Sequence, residues 1–359
     1  MLLRYCCRDT AVGILLQGYY FRDKSAEISL LGMSFMRDKT KRICEDLIED
    51  YIIFKKVFNF EYNMLYIVAA GITSRSKIPL SPDRLRYCRD LLKRRCSAFS
   101  SFRGNMTMVV TAYLAASDEP ELFLEDMLSV YNRLKEHFHW SSTYLAVSAS
   151  IIAQLGDAGY YDKIIADTDL IYEEMKKDHP FLTSGEDIAL CALLSMSGKK
   201  YDDLFRDMEA CYEGLKGFVR VGNSRQSLAH VLSIYPQPAS VKCERVIRLY
   251  KELKEAGCRY GKGYELASLG VLAMSEWDYH NLVLEMMELH DYLKKKRGFG
   301  PLSLSKSQRL MFAGFMLMDQ YSYEDMGSAV MNTTITTIIA QEVAMMCIMA
   351  STTASSSHS

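Results

Sequence analysis

The chain has 359 residues, 49% hydrophobic and 24% charged, with 43 Lys+Arg against 44 Asp+Glu and a formal net charge of -1. These values are ordinary for a folded globular protein; they exclude wholesale disorder and a polytopic membrane protein, and they argue against a dedicated nucleic-acid binder, which carries a basic excess. Only 7 Pro stand beside 21 Met and 23 Tyr, a balance that favours long helices over many turns.

At the N-terminus, the apolar stretch Ala11 to Leu16 is short for a signal sequence, and no clean small-residue cleavage pattern follows it. Residues 1–35 lack the periodicity found later. They read as a poorly packed extension, or as a start set upstream of Met33 or Met36. The ten cysteines are spread along the chain without a C-x-x-C pair. A disulfide framework belongs to short secreted domains and zinc sites need close ligand pairs, so the reading is a reduced, cytoplasmic protein with no metal and no cofactor.

From residue 36 onward a unit of about forty residues repeats. Apolar residues at 0, +3, +7 and +10, followed by Lys at +11, occur at Cys44, Leu47, Tyr51, Phe54 and Lys55, and again at Leu124, Met127, Tyr131, Leu134 and Lys135. Further copies begin at Ile165, Phe205, Cys243 and Val283, with a weaker one at Pro82; the +7 positions are 51, 89, 131, 172, 212, 250 and 290. Such spacing places one apolar stripe on one face of a helix. The recurrent Lys lies near the helix C-terminus, where a cation complements exposed carbonyls, and needs no ligand to explain it.

Between these helices lies a second set, apolar on most sides and rich in Ala, Ser and Gly, at 61–72, 106–117, 143–155, 186–197, 225–234, 264–274 and 308–318. These read as buried helices. Thr183/Glu186, Asn223/Gln226 and Ser305/Gln308 have capping-box spacing at their starts. The expected architecture is all-α: a right-handed stack of about seven helical hairpins with a period of about 40 residues, either an open α-solenoid or an α/α toroid, which spacing leaves undecided. The repeat domain is expected over 36–322, a C-terminal capping helix over 323–351 and a frayed tail over 352–359. Met331 to Met349 approaches the length of a membrane span, but its four Thr, its Gln and its Glu make integral insertion unfavourable.

The segment FLTSGEDIALCALLS (181–195), with FSSFRGNM (99–106) upstream, resembles a family of bacterial proteins from Gram-positive organisms, domain of unknown function 4003, over about residues 36 to 350. The resemblance implies a bacterial, all-helical, cytoplasmic protein and implies no catalytic residue.

Each connection from an amphipathic helix to the next buried helix repeats aromatics and cations. The candidate binding residues on this edge are Arg103, His137, His139, Trp140, His179, Phe181, Arg220, Arg259 and Tyr260. Stacking and guanidinium contacts there can hold a peptide, a phosphate or a carboxylate; the plainer account is aromatics packing back as hydrophobic staples and cations drawn to helix C-termini. His137, His139 and His179 lack the further ligands that zinc needs. His230 reads as a hydrogen-bonded core histidine, and Glu186 and Asp187 as carboxylates at a helix start. The stretch 83–103 holds seven cations against two carboxylates, read as a solvated helix face in preference to an acidic partner or a phosphate backbone. No P-loop, dinucleotide-binding, nucleophile-elbow or H-E-x-x-H motif occurs.

The leading expectation is a non-enzymatic repeat protein that binds a protein or peptide along this edge, without nucleic acid. An α/α-toroid-type enzyme is the alternative, with His139, His179, Glu186, Asp187 and Arg220 converging where the buried helices begin. Peripheral membrane attachment through the C-terminal helix is a third expectation.

Overall fold

A computed structural model of the chain describes residues 38–321, apart from Phe60, Tyr264 and Glu276. The expectations for residues 1–35, 323–351 and 352–359, including membrane attachment through the C-terminal helix, fall outside the described residues. Among the described residues there are fourteen α-helices and no strand: α1 (Asp38–Val57), α2 (Asn63–Thr73), α3 (Pro82–Arg95), α4 (Thr107–Ala115), α5 (Pro120–Phe138), α6 (Thr143–Leu155), α7 (Tyr161–Asp178), α8 (Ile188–Ser195), α9 (Tyr201–Gly214), α10 (Gly222–Ser233), α11 (Ala239–Glu255), α12 (Leu266–Met274), α13 (Tyr279–Lys294) and α14 (Lys306–Tyr321). None of these helices is long and apolar enough to cross a membrane.

The odd-numbered helices carry the repeated stripe, and its apolar positions face inward. Cys44, Leu47, Tyr51 and Phe54 are buried on α1, as are Leu124, Met127, Tyr131 and Leu134 on α5 and Ile165, Thr168, Tyr172 and Met175 on α7. In the other copies Pro82, Arg89, Phe205 and Tyr250 are half-buried, while the +11 lysines are exposed in every copy. Each fully buried aliphatic or aromatic side chain contributes about 1.5–3 kcal/mol relative to exposure. In three copies the +7 tyrosine also carries a hydroxyl that ties its helix to a connection or to the start of an even-numbered helix, and in the α3 copy Arg89 reaches the end of α1. Tyr51 Oη donates to Asn63 Oδ1 at 2.8 Å, Arg225 donates to Tyr212 Oη at 2.6 Å, and Tyr131 Oη lies 2.7 Å from Ser101 Oγ. Arg89 donates to the Val57 carbonyl at 2.9 Å. That double duty, a ring in the core and a hydroxyl at its rim, accounts for the tyrosine at positions 51, 131 and 212.

The even-numbered helices are buried nearly all round, as their composition suggests: Met64 to Ala70 on α2 and Ile188 to Leu194 on α8 are almost without exposure. The small residues permit close approach. A Cβ added to Gly270 on α12 would stand 2.7 Å from Leu228 Cδ1 on α10, and one added to Gly314 on α14 would stand 2.7 Å from Leu272 Cδ1 on α12.

Consecutive helices pack together as α1 with α2, α3 with α4, α5 with α6, and so on to α13 with α14. Odd helices also pack on odd helices (α1 on α3, α5 on α7, α9 on α11) and even on even (α2 on α4, α6 on α8, α10 on α12, α12 on α14). In addition α14 packs on α1. There the Cys44 thiol lies 3.1 Å from Met316 Sδ, 272 positions away. Arg75 donates to the Phe315 carbonyl at 3.3 Å, Asn63 Nδ2 to the Gly298 carbonyl at 2.8 Å, and the Tyr51 and Phe299 rings lie 5.5 Å apart.

Of the three capping boxes read from the sequence, one forms as expected. Ser305 Oγ accepts from the Gln308 amide at 3.2 Å, while Gln308 Oε1 accepts from the Ser305 amide at 2.9 Å. The second is displaced by one residue and consists of Ser184 and Asp187. The third is absent because α10 already begins at Gly222, and Gln226 turns inward to donate to Thr183 Oγ1 at 3.1 Å. Replacement Ser305→Ala removes a helix cap and is expected to lower stability by about 1 kcal/mol, measured by urea denaturation.

Candidate functional site

Eight of the nine residues singled out in the sequence lie on the connections from odd to even helices and His137 lies in the last turn of α5; they differ sharply in environment. Tyr260 is buried, with its hydroxyl 2.7 Å from Ser268 Oγ, and is a core residue. Arg103 donates to the Cys96 carbonyl at 3.1 Å and so satisfies the end of α3. His139 ends α5 with φ 59, a left-handed cap conformation, which is a structural role for this position. His137 Nδ1 lies 3.2 Å from Asp169, Trp140 packs edge-on against Phe138 and Tyr172, and Arg220 and Arg259 are exposed. His179 packs on the Tyr212 ring at 4.5 Å, and its Nε2 lies 3.1 Å from Glu209 Oε2.

No hydrogen bond or ion pair joins His139, His179, Glu186, Asp187 and Arg220 to one another. Asp187 caps the turn at Ser184, and burial pushes its carboxyl up to about 7. No group of three or more potential metal ligands occurs among the described residues. The cations of residues 83–103 are largely committed: Arg84 binds the Ala115 carbonyl at 2.7 Å, Arg86 pairs with Asp83 at 2.7 Å, and Arg95 pairs with Glu125 at 2.6 Å.

The aromatics of these connections divide into two sets. Phe58, Phe102, Phe138 and Phe299 are buried and belong to the core. A second set is exposed: Tyr62 at 50%, Phe99 at 99%, Trp140 at 39% and Phe181 at 99%, joined by Val221 at 59% and Leu302 at 104%. Solitary exposed apolar residues are normal. Here they recur on corresponding connections, after α1, α3, α5, α7, α9 and α13.

Between α7, α9 and α10 lies a small cleft of about 20 Å³. His179, Glu209 and Tyr212 line it together with Gln226 and His230 of α10. Neither α7 and α9 nor α8 and α10 are among the closely packed helices. Side chains bridge this junction: Gln226 to Thr183, His179 to Glu209, and Asn223 Nδ2 to Glu186 at 3.5 Å. Gln226 and His230 were not picked out by sequence reasoning as binding residues. A polar residue one turn before a histidine on an otherwise apolar helix was the available signal.

His230 is 2% exposed, and burial, aided by the neighbouring His179, pushes its imidazole down to about 3. The unfolded chain therefore takes up a proton below the ordinary histidine value of about 6.5, while the folded chain does so only near 3. From His230, stability is lost as pH falls through that window, by up to about 1.4 kcal/mol per pH unit. The raised carboxyls of Asp187 and Asp50 act in the opposite sense. Replacement His230→Gln is expected to flatten the decline between pH 6.5 and 4, read from urea midpoints across the range.

The chain belongs to the family described as protein of unknown function (DUF4003), which matches residues 50–344. It is also similar to an uncharacterized protein of Bacillus subtilis (strain 168), YeaA, with 24% identity over 194 residues, 52% of this chain and 57% of that protein. The chain thus spans little more than half the length of that relative. No solved structure matches it.

Proposed function

We propose that residues 38–321 form seven helical hairpins in a right-handed stack that closes into an α/α toroid, and that the chain is a non-enzymatic scaffold in the cytoplasm of a bacterium, binding a peptide segment of a partner protein along the edge of odd-to-even connections. The observation that carries the binding role is the exposed series Tyr62, Phe99, Trp140, Phe181, Val221 and Leu302 on corresponding connections. Their exposure gives the isolated fold no burial energy, whereas covering such side chains on association contributes about 1.5–3 kcal/mol apiece before ordering costs. Arg220, beside Val221, and Arg259, on the connection after α11, stand exposed and suit a segment that also carries carboxylates. The contact of α14 with α1 supports closure. The seven cysteines among the described residues, all buried and unbridged, support a reducing compartment, and the Bacillus subtilis relative supports a bacterial source.

Native mass spectrometry of protein purified from its own cells tests this reading. A co-purifying protein is expected with the native chain and is expected to be lost from Phe99→Ser/Phe181→Ser, while thermal stability stays the same. The same partner retained by the double variant, or no partner with either, contradicts it.

A further inference from the structure

We infer that the cleft between α7, α9 and α10 is a subsite for a primary carboxamide, such as the side chain of an asparagine or glutamine in the bound segment. The peptide context rests on the edge-binding role proposed above; the carboxamide chemistry rests on the cleft alone. Gln226 and His230 are 1% and 2% exposed and stand four residues apart on α10, so they share one face of that helix. The Gln226 amide is oriented by its donation to Thr183 Oγ1 at 3.1 Å, since the Thr183 hydroxyl itself donates to the Met175 carbonyl at 3.1 Å. Gln226 Oε1 is then left without a partner, and so is His230 Nδ1, both buried and both on residues lining the same cleft. Buried polar atoms are nearly always paired, so two unpartnered ones on the lining of one cavity mark a place where a polar group can bind. The space, about 20 Å³ for a water-sized sphere, accommodates one water or the tip of a small polar group.

The chemistry of the walls selects among such groups. A carboxylate would face the Gln226 oxygen and the Glu209 and Asp178 carboxylates near the mouth. An ammonium meets surroundings that already disfavour a proton on His230. A neutral carboxamide offers an N–H to Gln226 Oε1 and a carbonyl to a protonated Nδ1 of neutral His230. The cleft lies beside the edge, since its lining includes His179, which caps α7, and Gln226 in the first turns of α10. Phe181 and Val221, both exposed, belong to the two connections beside it.

The test titrates propionamide, propionate and propylamine into the full chain carrying ¹⁵N-histidine, reading the ring nitrogens of His230 by NMR. A saturable shift is expected with propionamide, with at least tenfold weaker responses to the two ions. Gln226→Met should abolish it. The near-isosteric Gln226→Glu, checked for an unchanged melting temperature, should move the preference from propionamide to propylamine. Equal responses to all three probes, no response to propionamide, or an unchanged response in both variants overturns the subsite. A partner still lost from Phe99→Ser/Phe181→Ser while propionamide fails to bind removes the subsite and leaves the edge role standing; a propionamide shift without any protein partner does the reverse.

Discussion

Replacement of Asp207 by alanine is expected to cost about 3–5 kcal/mol of stability, because it strands a buried cation. The Lys242 side chain is completely buried, and its ammonium donates to Asp207 Oδ2 and to the Tyr235 carbonyl at 3.2 Å. Lys199 reaches the same carboxylate oxygen at 3.2 Å and the Tyr235 carbonyl at 2.8 Å, and also binds the Ser233 carbonyl. One carboxylate on α9 thus holds two lysines that in turn satisfy carbonyls at the end of α10. Without Asp207, Lys242 keeps a charge and lacks a counter-charge. The variant Lys242→Met is expected to lose less than half as much, since Asp207 is 18% exposed and retains Lys199. The double variant should be more stable than Asp207→Ala alone. Urea denaturation of the three variants measures this order, and equal losses for the two single changes would show that the burial of Lys242 has no such consequence.

Phe102 and Phe99, three residues apart on one connection, are expected to behave oppositely. Phe102 is fully buried and packs edge-on against Tyr131, with ring centroids 5.1 Å apart. Its truncation to alanine removes a large core side chain and leaves a cavity, a loss of about 3–5 kcal/mol. Phe99 is 99% exposed, and Phe99→Ala should stay within about 0.5 kcal/mol of the native chain. Thermal melting separates the two. If the edge binds a partner, Phe99→Ala weakens that association while leaving the melting temperature in place.

Much of the helical core was legible because its signal is local. The stripe from Cys44 to Phe54 is a 3.6-residue pattern, and any helix built on it turns those residues the same way. The apolar runs rich in Ala, Ser and Gly were legible too, since 143–155 coincides with α6. Details that depend on a choice between adjacent residues were not. Thr183 with Glu186 and Ser184 with Asp187 have the same spacing; the buried environment of Thr183, which binds Met175 and Gln226, gives the cap to Ser184. The connections were legible as aromatic, but whether Phe99 or Phe102 faces the core depends on the path of a short loop. Lys242 gave no signal at all, because a lysine within an amphipathic pattern reads as surface. His230 read correctly as buried, but the hydrogen bond expected of a core histidine is not made at Nδ1, and that unpartnered nitrogen matters only beside Gln226 and a junction bridged by side chains. The contact between α14 and α1 depends on the small rotations between successive packed helices, which the sequence spacing does not encode.

Closure of the stack is central to the proposed architecture, and amine cross-linking tests it without any substitution. Lys56 of α1 and Lys296, just beyond α13, line one groove together with Glu45, Ile48 and Tyr292. Treatment of monomeric protein with a short bifunctional amine reagent, followed by peptide mass spectrometry, should yield an intramolecular Lys56–Lys296 link across 240 positions of sequence. Links confined to neighbouring hairpins, with none between the first and the last, would contradict closure and leave an open superhelix.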